Sequence, residues 1–144
     1  MLLIRRDQKT EFLKKVPMFS NLNNRQLIEI AKHAEQLFVK HGEVLVEQGR
    51  RGSEFYFIVE GKAQVKKDLK VIRKLANGDF FGEISLIDRE PRTATVIADT
   101  DMTLLVVDTK SFAHLLDVVP GLQGKIIIAL CRYIRLAEKP SIVS

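Results

Sequence analysis

The chain has 144 residues, and its 23 Lys and Arg against 18 Asp and Glu give a formal net charge of +5. That length suits a single domain burying roughly 70% of the unfolded chain's surface, enough for a stable core without disulfides or a structural metal. Apolar residues at 46% and charged residues at 28% exclude disordered, collagen-like and disulfide-scaffold classes.

The first elements read as helical. Asp7 or Thr10 caps a short helix through Glu11-Phe12-Leu13-Lys14-Lys15, which stops near Val16-Pro17 because a residue before proline avoids helical geometry. Asn23 has Gln26 three residues on, the spacing of a capping box. Leu27, Ile28, Ile30, Ala31 and Ala34 follow at helical spacing, so a second helix runs into the lower thirties.

From Val39 the period becomes strand-like. Val44 and Val46, Phe55 to Val59, Ala63 and Val65, Val71 with Ile72 and Leu75, Thr93 to Ile97 and Thr103 to Val107 each suit a short strand. Six of the eight glycines lie between Gly42 and Gly82 and mark the turns. Seven or eight short strands at this spacing predict an antiparallel barrel, sandwich or jelly roll, so the fold is mainly β with flanking helices. Lys66, Lys67, Lys70, Arg73 and Lys74 cluster on one hairpin and read as a solvated edge that discourages strand pairing.

The last part returns to helix. Ser111 caps a turn through Phe112 to Leu116, and Pro120 opens a longer helix to about Lys139, closed by Pro140. At 100° per residue, Ile126, Ile127, Ala129, Leu130, Cys131, Tyr133, Ile134, Leu136 and Ala137 span an arc of about 220°. One flat contact needs about half of that, so the helix is expected to meet a second surface, most simply a partner copy in a homodimer. The chain is expected to be one domain: a helical segment at 1–38, strands at 39–109 and helices at 110–140.

Negative signals narrow the function. Cys131 has no intrachain partner and sits in an apolar stretch, which reads as a buried thiol in a reducing, cytoplasmic setting. No apolar run approaches the ~18 residues of a membrane span, and Met1-Leu2-Leu3-Ile4 meets Arg5-Arg6 without the pattern of an export signal, so no membrane association is expected. His33, His41 and His114 are scattered, which gives no compact metal-ligand set for a jelly-roll metalloenzyme. Gly61-Lys62 lacks the rest of a Walker A loop, and no nucleophile has a recognisable base, so no enzymatic activity is expected.

The stretch from Gly78 to Val96 breaks the strand pattern: a strand ends at a glycine, a helical turn of about six residues follows, and Pro91 returns the chain to a strand. Gly82 lets a ligand approach the backbone, and the amides of Ile84 and Ser85 are expected to point outward at the start of the turn. Arg92 can fold back over them and give two phosphate oxygens a charge-assisted pair, with the Thr93 hydroxyl at the same mouth. Glu83 suits a neighbouring sugar, since a carboxylate accepts from a ribose 2′-hydroxyl. The bland alternative is a surface salt bridge between Glu83 and Arg92.

Phe81-Gly82-Glu83-Ile84-Ser85-Leu86, five residues ending in Pro91, then Arg92-Thr93-Ala94-Thr95-Val96, resembles the phosphate-binding cassette of the cyclic nucleotide-binding domain family. The resemblance implies an eight-stranded antiparallel β-roll with N-terminal helices, a cassette at 81–94 containing a short helix, and C-terminal helices. It implies that Glu83 holds the ribose 2′-hydroxyl and Arg92 the cyclic phosphate, with the backbone of Gly82, Ser85 and Ala94 assisting and Val65 and Ile72 against the base. A residue of the final helix often closes over the base in this family, and Arg132, Tyr133 and Arg135 are the candidates. The implied ligand is cAMP, with cGMP left open by Thr93, and no further cofactor is implied. Occupancy would be relayed by the C-terminal helices to a partner copy or a separate effector. The family's DNA-binding members carry a helix-turn-helix, and only Ser141 to Ser144 follow Pro140, so no nucleic-acid partner is expected. The remaining alternative is a ligand-free β-roll that serves as a dimerisation module.

Overall fold

A computed structural model describes residues 3–137. Two helices lead the chain, α1 at Arg6–Lys14 and α2 at Asn24–His33, with a 3₁₀ turn at Pro17–Phe19 between them. Eight strands follow: β1 Glu35–Val39, β2 Val44–Val46, β3 Glu54–Glu60, β4 Ala63–Lys67, β5 Lys70–Leu75, β6 Phe80–Phe81, β7 Thr95–Ala98 and β8 Met102–Asp108. The short helix α3, Ser85–Asp88, interrupts them before β7, and α4 Thr109–Val118 and α5 Leu122–Ala137 close the described chain. The strands form two antiparallel four-stranded sheets, ordered β1-β8-β3-β6 and β2-β7-β4-β5. This is the mainly β architecture with flanking helices that the strand spacing predicts, in the form of the eight-stranded roll that the resemblance implies.

Strand β3 shows how the sequence builds two cores from one sheet. Phe55 and Phe57 point to the helical side, where they join Leu13, Phe19, Phe112 and Ile126. The alternating Tyr56 and Ile58 point between the sheets, joining Ala63, Leu75, Val96 and Leu104. A strand buried on both faces reads as an unbroken apolar run, which is why residues 55–59 are so legible. Phe19, Phe55, Phe57 and Phe112 are wholly buried, each contributing about 1.5–3 kcal/mol of transfer free energy.

Several boundaries differ from the expectation. Helix α1 starts earlier, at Arg6, because the Gln8 side chain accepts from the Arg5 N–H at 3.0 Å and closes its first turn. Asp7 lies within that turn, and Thr10 donates its hydroxyl to the Arg6 carbonyl, so neither is the cap. The Asn23–Gln26 capping box forms in both directions, at 2.9 and 3.0 Å. Strand β1 begins at Glu35, within the segment expected to be helical to residue 38; Leu37 and Phe38 lie exposed, which blurs the inside-outside alternation. Strand β7 starts at Thr95, since Thr93 and Ala94 belong to the turn before it. The cap of α4 is Asp108, whose carboxylate accepts from the Ser111 N–H at 2.6 Å, so Ser111 lies inside the first turn.

Helix α5 starts at Leu122, two residues after Pro120. It buries Leu122, Ile126 and Ala129 and leaves Ile127, Ile128, Ile134 and Leu136 about half exposed, so the surplus apolar face stands open. Cys131 is exposed, which overturns the buried reading; its neighbours one turn away on the helix, Ile127 and Ile134, are outward-facing as well. The expected end of this helix at Lys139 and Pro140 lies outside the described residues.

Candidate functional site

The site grows from the strand-turn-helix at β6 and α3. Phe80 and Phe81 pair with Phe57 and Tyr56 of β3, and the Phe81 ring stacks on Tyr56 with centroids 4.8 Å apart. At Gly82 the backbone turns into the left-handed region, φ +82°, which ends the strand at low cost only for glycine. Helix α3 is four residues, shorter than the six or so expected, and Arg89 at φ +55° terminates it. The returning chain is clamped to the β2–β3 loop: the Arg92 N–H donates to the Arg50 carbonyl at 2.7 Å, and the Gly49 N–H to the Arg92 carbonyl at 2.8 Å.

That clamp aims the Arg92 side chain inward. Its guanidinium donates to the Glu54 carbonyl at 2.6 Å and to the Ser85 hydroxyl at 3.1 Å. A Cβ at Gly82 would collide with the guanidinium and with the Glu54 carbonyl oxygen, and a Cβ at Gly52 would collide with the guanidinium from the other side. Gly52 therefore belongs to the site, although its sequence context marks it only as a turn residue. Its role is to leave room, and spacing in a sequence does not encode close approach.

Glu83 and Arg92 line the same cavity, yet among the described residues neither makes an ion pair. The surface salt bridge is thus not what holds them. Burial pushes the Glu83 carboxyl above the usual carboxylate range; the N–H groups of Ile84 and Glu83 itself, then the charges of Arg73 and Arg92, pull it partly back. Burial likewise holds Arg92 below the usual arginine range, against the opposing pull of Tyr56 and of the Glu54, Asp88 and Glu83 carboxylates. The Ser85 amide does not point freely outward as expected, because it donates to the Gly82 carbonyl at 3.1 Å and closes the turn.

The cavity holds about 440 Å³, within the ~300–1,000 Å³ of small-molecule sites. Its polar end carries Gly82, Glu83, Ile84 and Ser85 facing Arg92, Thr93 and Ala94, and its apolar wall carries Val65 and Ile72. All nine residues expected around a ligand are therefore brought together. The wall depends on a bulge: Val65 pairs with Arg73 but Lys66 with Val71, leaving Ile72 as an extra residue. A bulge breaks the alternation, so the consecutive Ile72 and Arg73 both line the cavity. Arg73, read from sequence as part of a solvated edge, is thus also a cavity residue, and strict period-two alternation hid it.

A neighbouring space of about 530 Å³ lies on the other flank of Glu83, lined by Pro17, Arg73, Phe80, Tyr133 and Leu136 among others. The Tyr133 hydroxyl is buried there, and the Met18 backbone lies near it without completing a hydrogen bond. Burial and the Glu83 charge push its pKa up to about 12. Arg132 instead donates to Asn21 at 3.1 Å and Arg135 is exposed; among the described residues neither lines either cavity. His33 and His114 do meet across α2 and α4, rings 6.5 Å apart, but the described residues contain no cluster of three or more groups able to hold a metal. Nor is any described helix long and apolar enough to cross a membrane.

Known proteins resemble this chain in sequence and in fold. A cAMP-dependent protein kinase regulatory subunit of Mycosarcoma maydis is 36% identical over 127 residues, covering 82% of this chain and 24% of that protein. A cGMP-dependent protein kinase of Drosophila melanogaster, isozyme 2 forms cD5/T2, is 37% identical over 122 residues, covering 79% and 13%. The chain thus spans a quarter or less of these relatives. Among solved structures, the N-terminal domain of a Streptomyces coelicolor A3(2) transcriptional regulator superposes with a TM-score of 0.82 at 26% identity, covering 88% of this chain and 94% of that one. The regulatory domain of Toxoplasma gondii PKA with cAMP gives 0.71 at 29% identity, covering 90% and 51%. Residues 36–118 match the model of the cyclic nucleotide-binding domain, and the chain belongs to that family.

Proposed function

We propose that this chain is a non-catalytic sensor whose cavity takes a cyclic purine nucleotide. Arg92 grips the cyclic phosphate, assisted by main-chain N–H groups of Gly82 and Ala94, and Glu83 accepts from the ribose 2′-hydroxyl. Val65 and Ile72 pack against the base. The observation that carries this reading is the pair of unmatched charges in one cavity: a half-buried guanidinium with no ion pair and a carboxylate destabilised by burial. Each gains from the ligand group it lacks, an anion for one and a hydroxyl donor for the other.

The response follows from Tyr133. A ligand shifts a conformational equilibrium only through contacts that differ between the states. Tyr133 supplies such a contact, because it reaches the flank of Glu83 from α5 while its hydroxyl has no hydrogen-bond partner among the described residues. Occupancy then biases the position of α5 and is relayed to an effector.

The first reading of the ligand is cAMP, the nucleotide in the similar Toxoplasma gondii structure. A second reading, cGMP, is favoured by Arg73 and Thr93 in the same cavity. Guanine offers acceptors at O6 and N7, which suit a guanidinium fork; adenine places a donor at N6. Titration calorimetry with both nucleotides tests the proposal. Arg92→Ala is expected to weaken binding at least tenfold, consistent with ~1.5–3 kcal/mol for hydrogen bonds to a charged group; unchanged affinity refutes the assignment. Under the cGMP reading Arg73→Ala weakens cGMP about tenfold and leaves cAMP unchanged.

A further inference from the structure

The β4–β5 hairpin gives Val65, Ile72 and Arg73 to the nucleotide cavity, but its apex and its lysines line no part of it. Strands β4 and β5 are joined by the two-residue turn Asp68-Leu69, with φ +50° and +69°. Both values lie in the left-handed region, where a two-residue hairpin turn strongly favours Asn or Asp followed by glycine. A leucine in the second position is strained, and it projects into solvent at 95% exposure. No described residue covers its side chain. The turn is nevertheless braced: Gln48 donates to the Asp68 carboxylate at 2.9 Å and accepts from the Asp68 N–H at 3.0 Å. Asp68, the only acid of the hairpin, keeps its charge but is outnumbered by Lys66, Lys67, Lys70 and Lys74 behind the apex, with Val71 about half exposed.

From this we propose that the β4–β5 hairpin docks on an anionic lipid surface, with Leu69 entering the interface and the lysines forming a collar over the headgroups. Composition selects this partner over an acidic protein. Lysine is depleted and leucine scarce in the energetic centres of protein interfaces, where arginine and aromatics dominate. An apolar apex with a lysine collar matches a negatively charged leaflet, where each nearby cation strengthens binding roughly fivefold. The expectation of no membrane association rested on the lack of a spanning segment, and a peripheral contact needs none.

Cosedimentation with phosphatidylcholine vesicles, with and without 30% phosphatidylserine, tests the proposal on the full chain. Binding is expected on the phosphatidylserine vesicles alone and is expected to fall at high salt. Leu69→Gly should reduce it at least fivefold while leaving the melting temperature unchanged or higher, because glycine suits the turn; a residue with only a structural role would not separate the two readouts in that direction. Lys67→Glu with Lys70→Glu should abolish it. Failure of the wild-type chain to bind, or wild-type binding by Leu69→Gly, overturns the proposal. So does Leu69-dependent capture on immobilised polyglutamate without vesicle binding, which would assign the hairpin to an acidic polypeptide. Nucleotide affinity, measured in parallel, reports on the cavity independently of this outcome.

Discussion

Glu83 carries a cost in the ligand-free protein, and its sign can be measured. Burial raises its folded pKa above the unfolded value, so its favourable contribution is complete below the unfolded pKa and is lost as pH rises through the folded one. Near neutral pH the ionised group therefore weakens the empty domain. Glu83→Gln is expected to unfold at higher denaturant than wild type at pH 7, with the difference vanishing below about pH 4, the ordinary carboxylate pKa. The same change is expected to weaken nucleotide binding about tenfold, because a neutral amide accepts less strongly than a carboxylate. A loss of stability at pH 7 would contradict the argument. Tyr133→Phe makes the companion case: deleting a buried hydroxyl without a partner should stabilise the empty domain by about 1 kcal/mol, measured by urea unfolding.

At the scale of elements, the contact between α2 and the α4–α5 corner turns on one buried side chain. Gln26 accepts from the Asn23 N–H and the Lys125 ammonium, each at 3.0 Å, and donates to the Pro120 carbonyl at 3.0 Å. Gln26→Leu leaves Pro120 and Lys125 without that partner and should cost about 1–3 kcal/mol. Hydrogen exchange is expected to rise first along α5, and uniform protection loss across the sheets would contradict a local role. Legibility followed the same scale. The capping box and β3 were plain in the sequence because their signals are local. The start of β1 was not, because Leu37 and Phe38 face outward and spoil the alternation. The Ile72–Arg73 bulge was hidden for a related reason: its register is set by the partner strand.

At the scale of the whole molecule, the β-roll brings residues 52, 54, 65, 72, 82–85, 92–94 and 133 to one region, although they span most of the chain. That Glu83 and Arg92 share a cavity was legible because a glycine, an acid and an arginine lie in one short segment that breaks the strand pattern. Gly52 and Arg73 were not, because each is defined by what stands opposite it in space. Of the three candidates on the last helix, Tyr133 alone lines the space beside Glu83, with α5 packed on the Pro17–Phe19 turn. The most direct test of the central claim is a structure determined with bound cAMP or cGMP. Phosphate oxygens are expected within hydrogen-bond distance of the Arg92 guanidinium, and the ribose 2′-hydroxyl on Glu83. A nucleotide seated elsewhere, with Arg92 still donating only to Glu54 and Ser85, would contradict it.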